Sequence, residues 1–412
     1  MERFTGLIGV VLILGVAYLL SNNRKAINYR TVGVGLALQF GLAVFILKTE
    51  IGRNFFEWLG VKVQLLLSFA DKGAEFVFST FVRRDLMEKA FGQGNDFVFF
   101  FKVIPTIIFV AVLVNIFYHL GIMQRIVAVL ARVVHWLMGV SGTEALSNVA
   151  STFVGQVEAQ IMIKPYLKGM TNSELMASMT GSFACIAGGV MAVYISLGVP
   201  ASYLIAASLM AAPGALAIAK IMFPETEVSE TSGIVKLEIK KTHANLLDAI
   251  AAGASEGLKV GFNVIAMLIG FIALVALLDF LLGKVGGIFS FPELSFNLIL
   301  GKLFSVFAWA MGVPSQDIQK AGELMGTKMV INEFVAYLDL TKSVATITPK
   351  TLAITSFALC GFANFSSIAI QVGGIGELAP SRRSDLAKLG FKALIAGTLA
   401  SYMSATFAGL LL

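Results

Sequence analysis

Charge is scarce in this sequence: Asp, Glu, Lys and Arg make up 14% of its 412 residues, where a soluble domain carries roughly 25%. Cysteine and histidine are scarcer, with two and three copies. Each shortage rules something out. With 57% hydrophobic residues and a mean hydropathy of +0.84, so few charges exclude a soluble domain and define an integral membrane protein. Cys185 and Cys360 both lie deep in apolar runs, so no disulfide framework is implied. His119, His135 and His243 are scattered, with no H-E-x-x-H pair and no cysteine at metal spacing, which argues against zinc chemistry. There is no Walker A lysine motif to suggest ATP drive, so an ion gradient is the remaining energy source and no organic cofactor is expected. The net charge of +6 is not gathered into a basic stripe, so no nucleic-acid partner is expected.

What is present is apolar length and glycine. Stretches able to cross roughly 30 Å of hydrocarbon occur near 5–21, 31–47, 98–118, 173–196, 201–222, 260–283, 350–372 and 390–411. The first could pass for a signal sequence, but a second span follows at once without an A-x-A-like site, so it reads as a transmembrane helix. Arg24, Lys25 and Arg30 follow span one, and Arg382, Arg383 and Lys388 precede the last. Both loops are expected to be cytoplasmic, with the termini outside. The 40 glycines, many inside apolar runs, suit closely packed or broken membrane helices.

The expected fold class is therefore all-α integral membrane, with eight transmembrane helices and two re-entrant hairpins. Residues 1–120 hold spans one to three and, at 55–92, an amphipathic helix carrying Lys62, Asp71, Lys72, Glu75, Arg83 and Arg84 and lying on the membrane surface. A second such helix is expected at 121–140, with Arg125, Arg132 and His135. The polar stretch from Pro224 to Lys241 reads as an exposed loop, and 223–312 as that loop plus span six, a scaffold helix. Lys102 in span three is read as snorkelling, and Asp279 as an interfacial residue.

Two polar passages break the apolar pattern, and they resemble each other. Gly155-Gln156-Val157-Glu158-Ala159 leads to Tyr166-Leu167 and, about two dozen residues after the acid, to the Ser182–Gly189 run. Asn332-Glu333-Phe334 leads to Tyr337-Leu338 and then to Ser356–Asn364. Each copy reads as hairpin, interrupted helix, plain helix: 141–222 and 313–412. Irregular backbone at membrane depth survives only where protein or a water-filled cavity covers it. Paired interruptions in the two halves of a membrane protein are the best sequence pointer to a transport site, and the loop charges suggest opposite orientations for the copies.

An ionisable residue in such a region is a functional candidate by default. Glu158 could instead form an ion pair with Lys164 or Lys168. Beside Gln156, which both donates and accepts, it could read the N–H and C=O groups of a planar heterocycle. Glu333, Asn332, Asn364, Ser366 and Ser367 together suit a polyol such as a sugar, although Asn364 and the serines could also serve only the carbonyls freed where the helix breaks. The Cys185–Gly189 run offers backbone carbonyls to an alkali cation, or glycine for helix packing. Phe362 reads as apolar cover or an aromatic wall.

Gly155-Gln156-x-Glu158-Ala159, the run 182–190, INEFVAYL at 331–338 and GFANFSSIAIQVGGIGELAP at 361–380 closely resemble the bacterial branch of the concentrative nucleoside transporters, over essentially the whole chain. That resemblance implies a homotrimer in the lipid of a bacterial inner membrane, with an elevator-like transport domain moving against a scaffold. It implies nucleoside import driven by sodium or, in some members, by protons. Carried over by position, it implies that Gln156, Val157, Glu158 and Val190 contact the nucleobase. Glu333, Asn364 and Ser367 would hold the ribose, with Phe362 lining the site, and sodium would sit between Ser151, Val154, Cys185 and Ile186. Three positions depart from the family pattern. Val157 replaces the usual Thr or Ser, Ser151 an expected Asn, and Cys185 a common Ser. The last two remove or soften a hard oxygen donor of the kind alkali cations prefer. An intramembrane enzyme using Glu158 and Glu333 as acid and base would need a nucleophile or metal constellation, and a passive channel would not need two paired acids; neither fits the pattern as well.

Overall fold

Backbone in hydrocarbon must satisfy its own polar groups, so a chain this apolar folds as helix. The computed structural model describes residues 2–92, 98–231, 233 and 243–412, and among them contains eighteen α-helices and no strand. The first part holds α1 (Glu2–Leu19), α2 (Tyr29–Lys48), α3 (Glu50–Phe78), α4 (Arg84–Phe91), α5 (Phe99–His119), α6 (Ile122–Met138), α7 (Gly142–Ser151), α8 (Glu158–Ile161), α9 (Asn172–Ala184), α10 (Gly188–Ser196) and α11 (Ala201–Met222). The second holds α12 (Leu246–Ile288), α13 (Phe296–Ala310), α14 (Ile318–Val330), α15 (Glu333–Ser343), α16 (Pro349–Leu359), α17 (Phe365–Leu378) and α18 (Arg383–Leu411).

The order of elements recurs. A long apolar helix, a second helix, two short helices around a reversal, a helix in two pieces and a long closing helix run from α5 to α11 and again from α12 to α18. The recurring unit thus starts earlier than the polar passages at 141 and 313 indicate, because α5 and α6 share no polar pattern with α12 and α13 that marks them as counterparts.

Among the described residues six helical stretches are long and apolar enough to cross a membrane, and they match six of the eight expected spans, one of them, Asn172–Ser196, being interrupted between α9 and α10. The other two differ in form. Near 5–21 the apolar helix is short, Thr5–Leu19, and near 350–372 the helix is interrupted between α16 and α17. The amphipathic stretch at 55–92 is the long helix α3, a 3-10 turn at Ser79–Val82, and α4, with residues 93–97 outside the described set. The second amphipathic helix is α6. Lys102 is paired with Asp71 of α3 at 3.6 Å rather than solitary. Asp279 accepts the backbone N–H of Phe296 at 2.7 Å and so ties the end of α12 to the start of α13.

The loop expected from Pro224 to Lys241 is not free in its described part. Ser229 and Thr231 donate to Glu174 at 2.5 and 2.6 Å, Thr171 donates to Glu225 at 2.7 Å, and Gly142 N–H reaches Thr231 O at 3.0 Å. Polar side chains that read as solvated loop instead serve the N-termini of α7 and α9. Both helices begin with capping boxes, Ser141 with Glu144 and Thr171 with Glu174, that satisfy donors with no intrahelical partner. Residues 232 and 234–242 lie outside the described set.

Burial separates a core from a shell. The apolar spans of α11 and α18 are 89% and 83% buried, that of α12 only 6%. α12 meets α5 along a seam of small residues: Gly253, Gly257 and Gly261, four apart, face Val112, Ile108 and Ile104, also four apart and in descending order. The two helices are therefore antiparallel. A Cβ at Gly257 would lie 2.6 Å from the Ile108 Cα, so the backbones approach as only glycine permits.

Candidate functional site

Both interrupted helices break at the same place in space. The first unwinds at Cys185–Ala187 between α9 and α10; the second unwinds at Cys360–Asn364 between α16 and α17. Phe362 donates its N–H to the carbonyl of Cys185 at 3.2 Å, so one break satisfies the other. Gly361, at φ +139, has the Phe183 and Ala184 carbonyls where a Cβ would point, which explains why only glycine fits there. From α18, Ser401 donates to Cys360 O at 3.0 Å, and from the α7–α8 reversal Phe153 O accepts Gly188 N–H at 3.0 Å. These bonds satisfy part of the backbone freed at the two breaks, as burial requires.

Glu333 opens α15 and is 5% exposed. Tyr194 of α10 donates to its Oε1 at 3.0 Å and Asn364 Nδ2 to its Oε2 at 3.1 Å. Asn364 also caps α17: its Oδ1 accepts Ser367 N–H at 2.9 Å and Ser366 Oγ at 2.7 Å. Asn332 caps α15 by accepting Val335 N–H at 2.9 Å. Two helix N-termini therefore meet at one carboxylate, and their dipoles offset part of the cost of burying its charge. Tyr194 is held by its neighbours, with ring centroids 4.3 Å from Tyr337 and 5.6 Å from Phe334.

A cavity of about 140 Å³ opens beside this carboxylate. Its polar lining is Gln156, Asn332, Glu333, Asn364, Ser366 and Ser367. Its apolar lining is Val190, Phe362, Phe334 and Ile370, with Val264, Met267 and Leu268 of α12 closing one side. Gln156 is set by Gln371 of α17, whose Nε2 donates to Gln156 Oε1 at 3.3 Å and to Met179 O at 3.4 Å. Because the Met179 carbonyl can only accept, the Gln371 nitrogen must face it, and the Gln156 oxygen must face Gln371. The free end of Gln156 is then its NH₂. Ser182 donates to the Gln156 carbonyl at 3.2 Å and lies 3.2 Å from the Ser151 hydroxyl.

Of the expected substrate residues, the cavity thus brings together Gln156, Val190, Glu333, Phe362, Asn364 and Ser367. Val157 and Glu158 are not among its lining. Val157 packs against Gly374 of α17, and the Glu158 carboxylate folds over Gly155 and is exposed. Among the described residues no ion pair joins Glu158 to Lys164 or Lys168; the salt bridges of this region run elsewhere, as in Lys220 with Glu144. The expected cation residues Ser151, Val154, Cys185 and Ile186 are all buried where the α7–α8 reversal meets the first break. Ser151 donates to Ser147 O at 2.8 Å, and Thr152 Oγ1 stands 3.8 Å from Cys185 Sγ. Thr152 supplies a hard oxygen beside the position where Cys185 offers only sulfur. Tyr194, Gln371, Ser182 and Thr152 were not singled out from sequence. Tyr194 lies in an ordinary apolar run, and nothing local marks it.

Paired helix interruptions around a buried carboxylate, in a multi-pass helical membrane protein, are the architecture of a secondary transporter. The chain belongs to the Na+ dependent nucleoside transporter family. The family's N-terminal part matches residues 8–81, a nucleoside recognition (Gate) part matches 100–201, and its C-terminal part matches 203–409. An uncharacterized transporter of Haemophilus influenzae is 45% identical over 100% of this chain and 98% of its own length. The nucleoside permease NupC of Helicobacter pylori is 39% identical over 98% of this chain and 96% of its own. The structure of CNTnw in an inward-facing substrate-bound state superposes with a TM-score of 0.94 at 41% identity, covering 100% of this chain and 98% of that one. These relatives are transporters, and the chain is not an enzyme.

Proposed function

We propose that this protein imports nucleosides across a bacterial inner membrane by symport with sodium, as a homotrimer working by elevator-type alternating access. The observation that carries the reading is the position of Glu333. Its carboxylate, oriented by Tyr194 and Asn364, shares one cavity with the free NH₂ of Gln156 from the other half of the repeat. A carboxylate with an amide and hydroxyls suits the ribose; the amide of Gln156 suits a base carbonyl or ring nitrogen.

In this reading Glu333, Asn364 and Ser367 hold the sugar, Gln156 and Val190 meet the base, and Phe362 forms a wall. The cavity is smaller than the roughly 300 Å³ at which small-molecule sites begin, so the site widens on binding. Contacts from Val157 and Glu158 need the α7–α8 reversal to turn toward the cavity. Sodium enters as co-substrate beside Ser151, Val154, Cys185 and Ile186, with Thr152 as a further donor. Ser182 joins the two sites, since one hydroxyl meets both Ser151 and the Gln156 carbonyl. The reversals α7–α8 and α14–α15 act as re-entrant hairpins, carried with α9–α11 and α16–α18 as the moving domain. The remaining long helices, α12 and α5 foremost, form the scaffold.

Isotope uptake of several nucleosides into proteoliposomes, with sodium and proton gradients imposed separately, tests this. Sodium-driven accumulation at fixed pH is expected. Accumulation driven by a proton gradient alone would assign the same fold to proton coupling, and no uphill accumulation under either gradient would contradict symport.

A further inference from the structure

Lys328, on α14, is only 1% exposed, and its ammonium donates to the carbonyl of Ala358 at 2.8 Å. Among the described residues no carboxylate lies within ion-pair distance of it. A fully buried lysine with no ion-pair partner is costly; Glu333 of the substrate site acts on it only through space, and no side chain of that site bonds to it. Ala358 is the last residue but one of α16, at the negative end of that helix, where the final carbonyls have no intrahelical partner.

The recurring order of elements gives this contact a counterpart. Lys328 stands late on the first helix of the second reversal and reaches the first piece of the second broken helix. In the first half, Ser151 stands at the end of α7 and meets Ser182 near the end of α9, at 3.2 Å. Both contacts pin a hairpin to a helix break. Just before the second break one carbonyl, that of Ala358, is met by a resident ammonium, while Cys360 O within the break takes the Ser401 hydroxyl. The carbonyls at the first break are met only by neutral groups: Phe362 N–H on Cys185, and the Ser401 hydroxyl on Ala184 at 3.5 Å.

We propose that Lys328 is a tethered cation, doing permanently at the second helix break what a free coupling cation does at the first. It is a positioning residue: it neutralises the negative end of α16 and holds the Glu333 hairpin on the break without touching substrate. The inference rests on the sodium-coupled reading above. It implies that a single free cation site operates because the other is already filled by the chain, and that removing the ammonium leaves a vacancy a free alkali cation can take.

The test is the sodium dependence of nucleoside binding, together with the sodium-to-nucleoside flux ratio, for wild type, Lys328→Asn, Lys328→Met and Lys328→Arg in proteoliposomes. Lys328→Asn, which leaves space and oxygen donors, is expected to give a sigmoidal sodium curve, a half-saturating concentration raised at least about tenfold, and a flux ratio higher by one sodium. Lys328→Met, which fills the space with an apolar chain, is expected to lose sodium-supported binding without becoming sigmoidal. Lys328→Arg is expected to keep the wild-type ratio. A purely helix-capping lysine would lower stability in the variants and leave the ratio unmoved. A wild-type curve and ratio in Lys328→Asn overturns the proposal. So does a Lys328→Asn protein that fails to assemble equally in sodium and in choline, since sodium should replace the missing charge. If wild-type uptake in the same liposomes ignores sodium, the coupling reading fails separately. The proposal then stands only if Lys328→Asn acquires an alkali-cation dependence that the wild type lacks.

Discussion

The hydroxyl of Tyr194 donates to Oε1 of Glu333 at 3.0 Å, joining two residues 139 positions apart. The donor belongs to the second piece of one broken helix and the acceptor opens a helix of the other half. The carboxylate is therefore aimed by a ring that is itself held between Tyr337 and Phe334.

Replacing Tyr194 with Phe removes one of two side-chain donors from a buried carboxylate. The expected loss is about 1–3 kcal/mol of stability, the range for a hydrogen bond to a charged group or a buried acceptor left unpaired. Thermal unfolding in detergent measures it, and a double-mutant cycle apportions it. In a Glu333→Gln background the same change is expected to cost clearly less. Equal costs in both backgrounds would mean that Tyr194 acts through packing alone.

Asn364 performs two tasks with two ends of one amide, and substitution can separate them. Asn364→Asp keeps an oxygen to cap α17 but turns the donor facing Glu333 into a second acceptor. Nucleoside affinity is expected to fall at least about tenfold near neutral pH. The cap contribution of about 0.5–2 kcal/mol is retained. Asn364→Ala loses both. Circular dichroism melting with parallel binding isotherms distinguishes the two variants, and an Asp variant that binds like wild type would contradict the assigned role.

Sequence makes the membrane class, the six long spans and much of the cavity's lining readable, because each rests on a local pattern. Apolar runs mark α2, α5, α11 and α18; an acid beside an amide marks Gln156 and Glu333. What stayed hidden is relational. Phe362 N–H against Cys185 O, Tyr194 against Glu333 and Gln371 against Gln156 join residues from distant parts of the chain, and none has a composition that sets it apart. The turn of Glu158 away from the cavity is also invisible locally. A four-residue helix at α8 leaves its side-chain direction to tertiary packing. α13 is missing from the expected spans because Phe296–Ala310 is shorter than a membrane crossing needs.

The seam between α5 and α12 gives a prediction about stability. Gly257→Ala places a methyl 2.6 Å from the Ile108 Cα, with backbone on the other side and no flexible side chain to yield. Overpacking of this kind costs about 1–3 kcal/mol. Gly270, with nothing near its Cβ position, is the control: Gly270→Ala is expected to be neutral or stabilising. Melting temperatures of the two variants check the contrast.

Asp317 gives a pH dependence. Burial disfavours its charge, but bonds from Thr351 Oγ1 at 2.6 Å and from the Thr348 N–H and hydroxyl at 2.9 and 2.8 Å outweigh burial, and the carboxyl sits below its ordinary value. A group depressed in the folded state stabilises above its unfolded value, about 3.9, and that stabilisation is lost as pH falls through the folded value. Asp317→Asn is therefore expected to be less stable than wild type at pH 7. The difference should be constant down to about pH 4 and shrink below it. A difference that grows on acidification would reverse the sign and reject the assignment.

The most direct test of the central claim is equilibrium binding of a labelled nucleoside, in sodium, to wild type, Glu333→Ala and Gln156→Ala proteins that retain wild-type melting behaviour. If Glu333 and Gln156 share one substrate cavity, Glu333→Ala should lose at least about a hundredfold in affinity, corresponding to roughly 2.8 kcal/mol. Gln156→Ala should lose less, and to an extent that changes with the base while the ribose is held constant. Undiminished affinity in both variants would contradict the account.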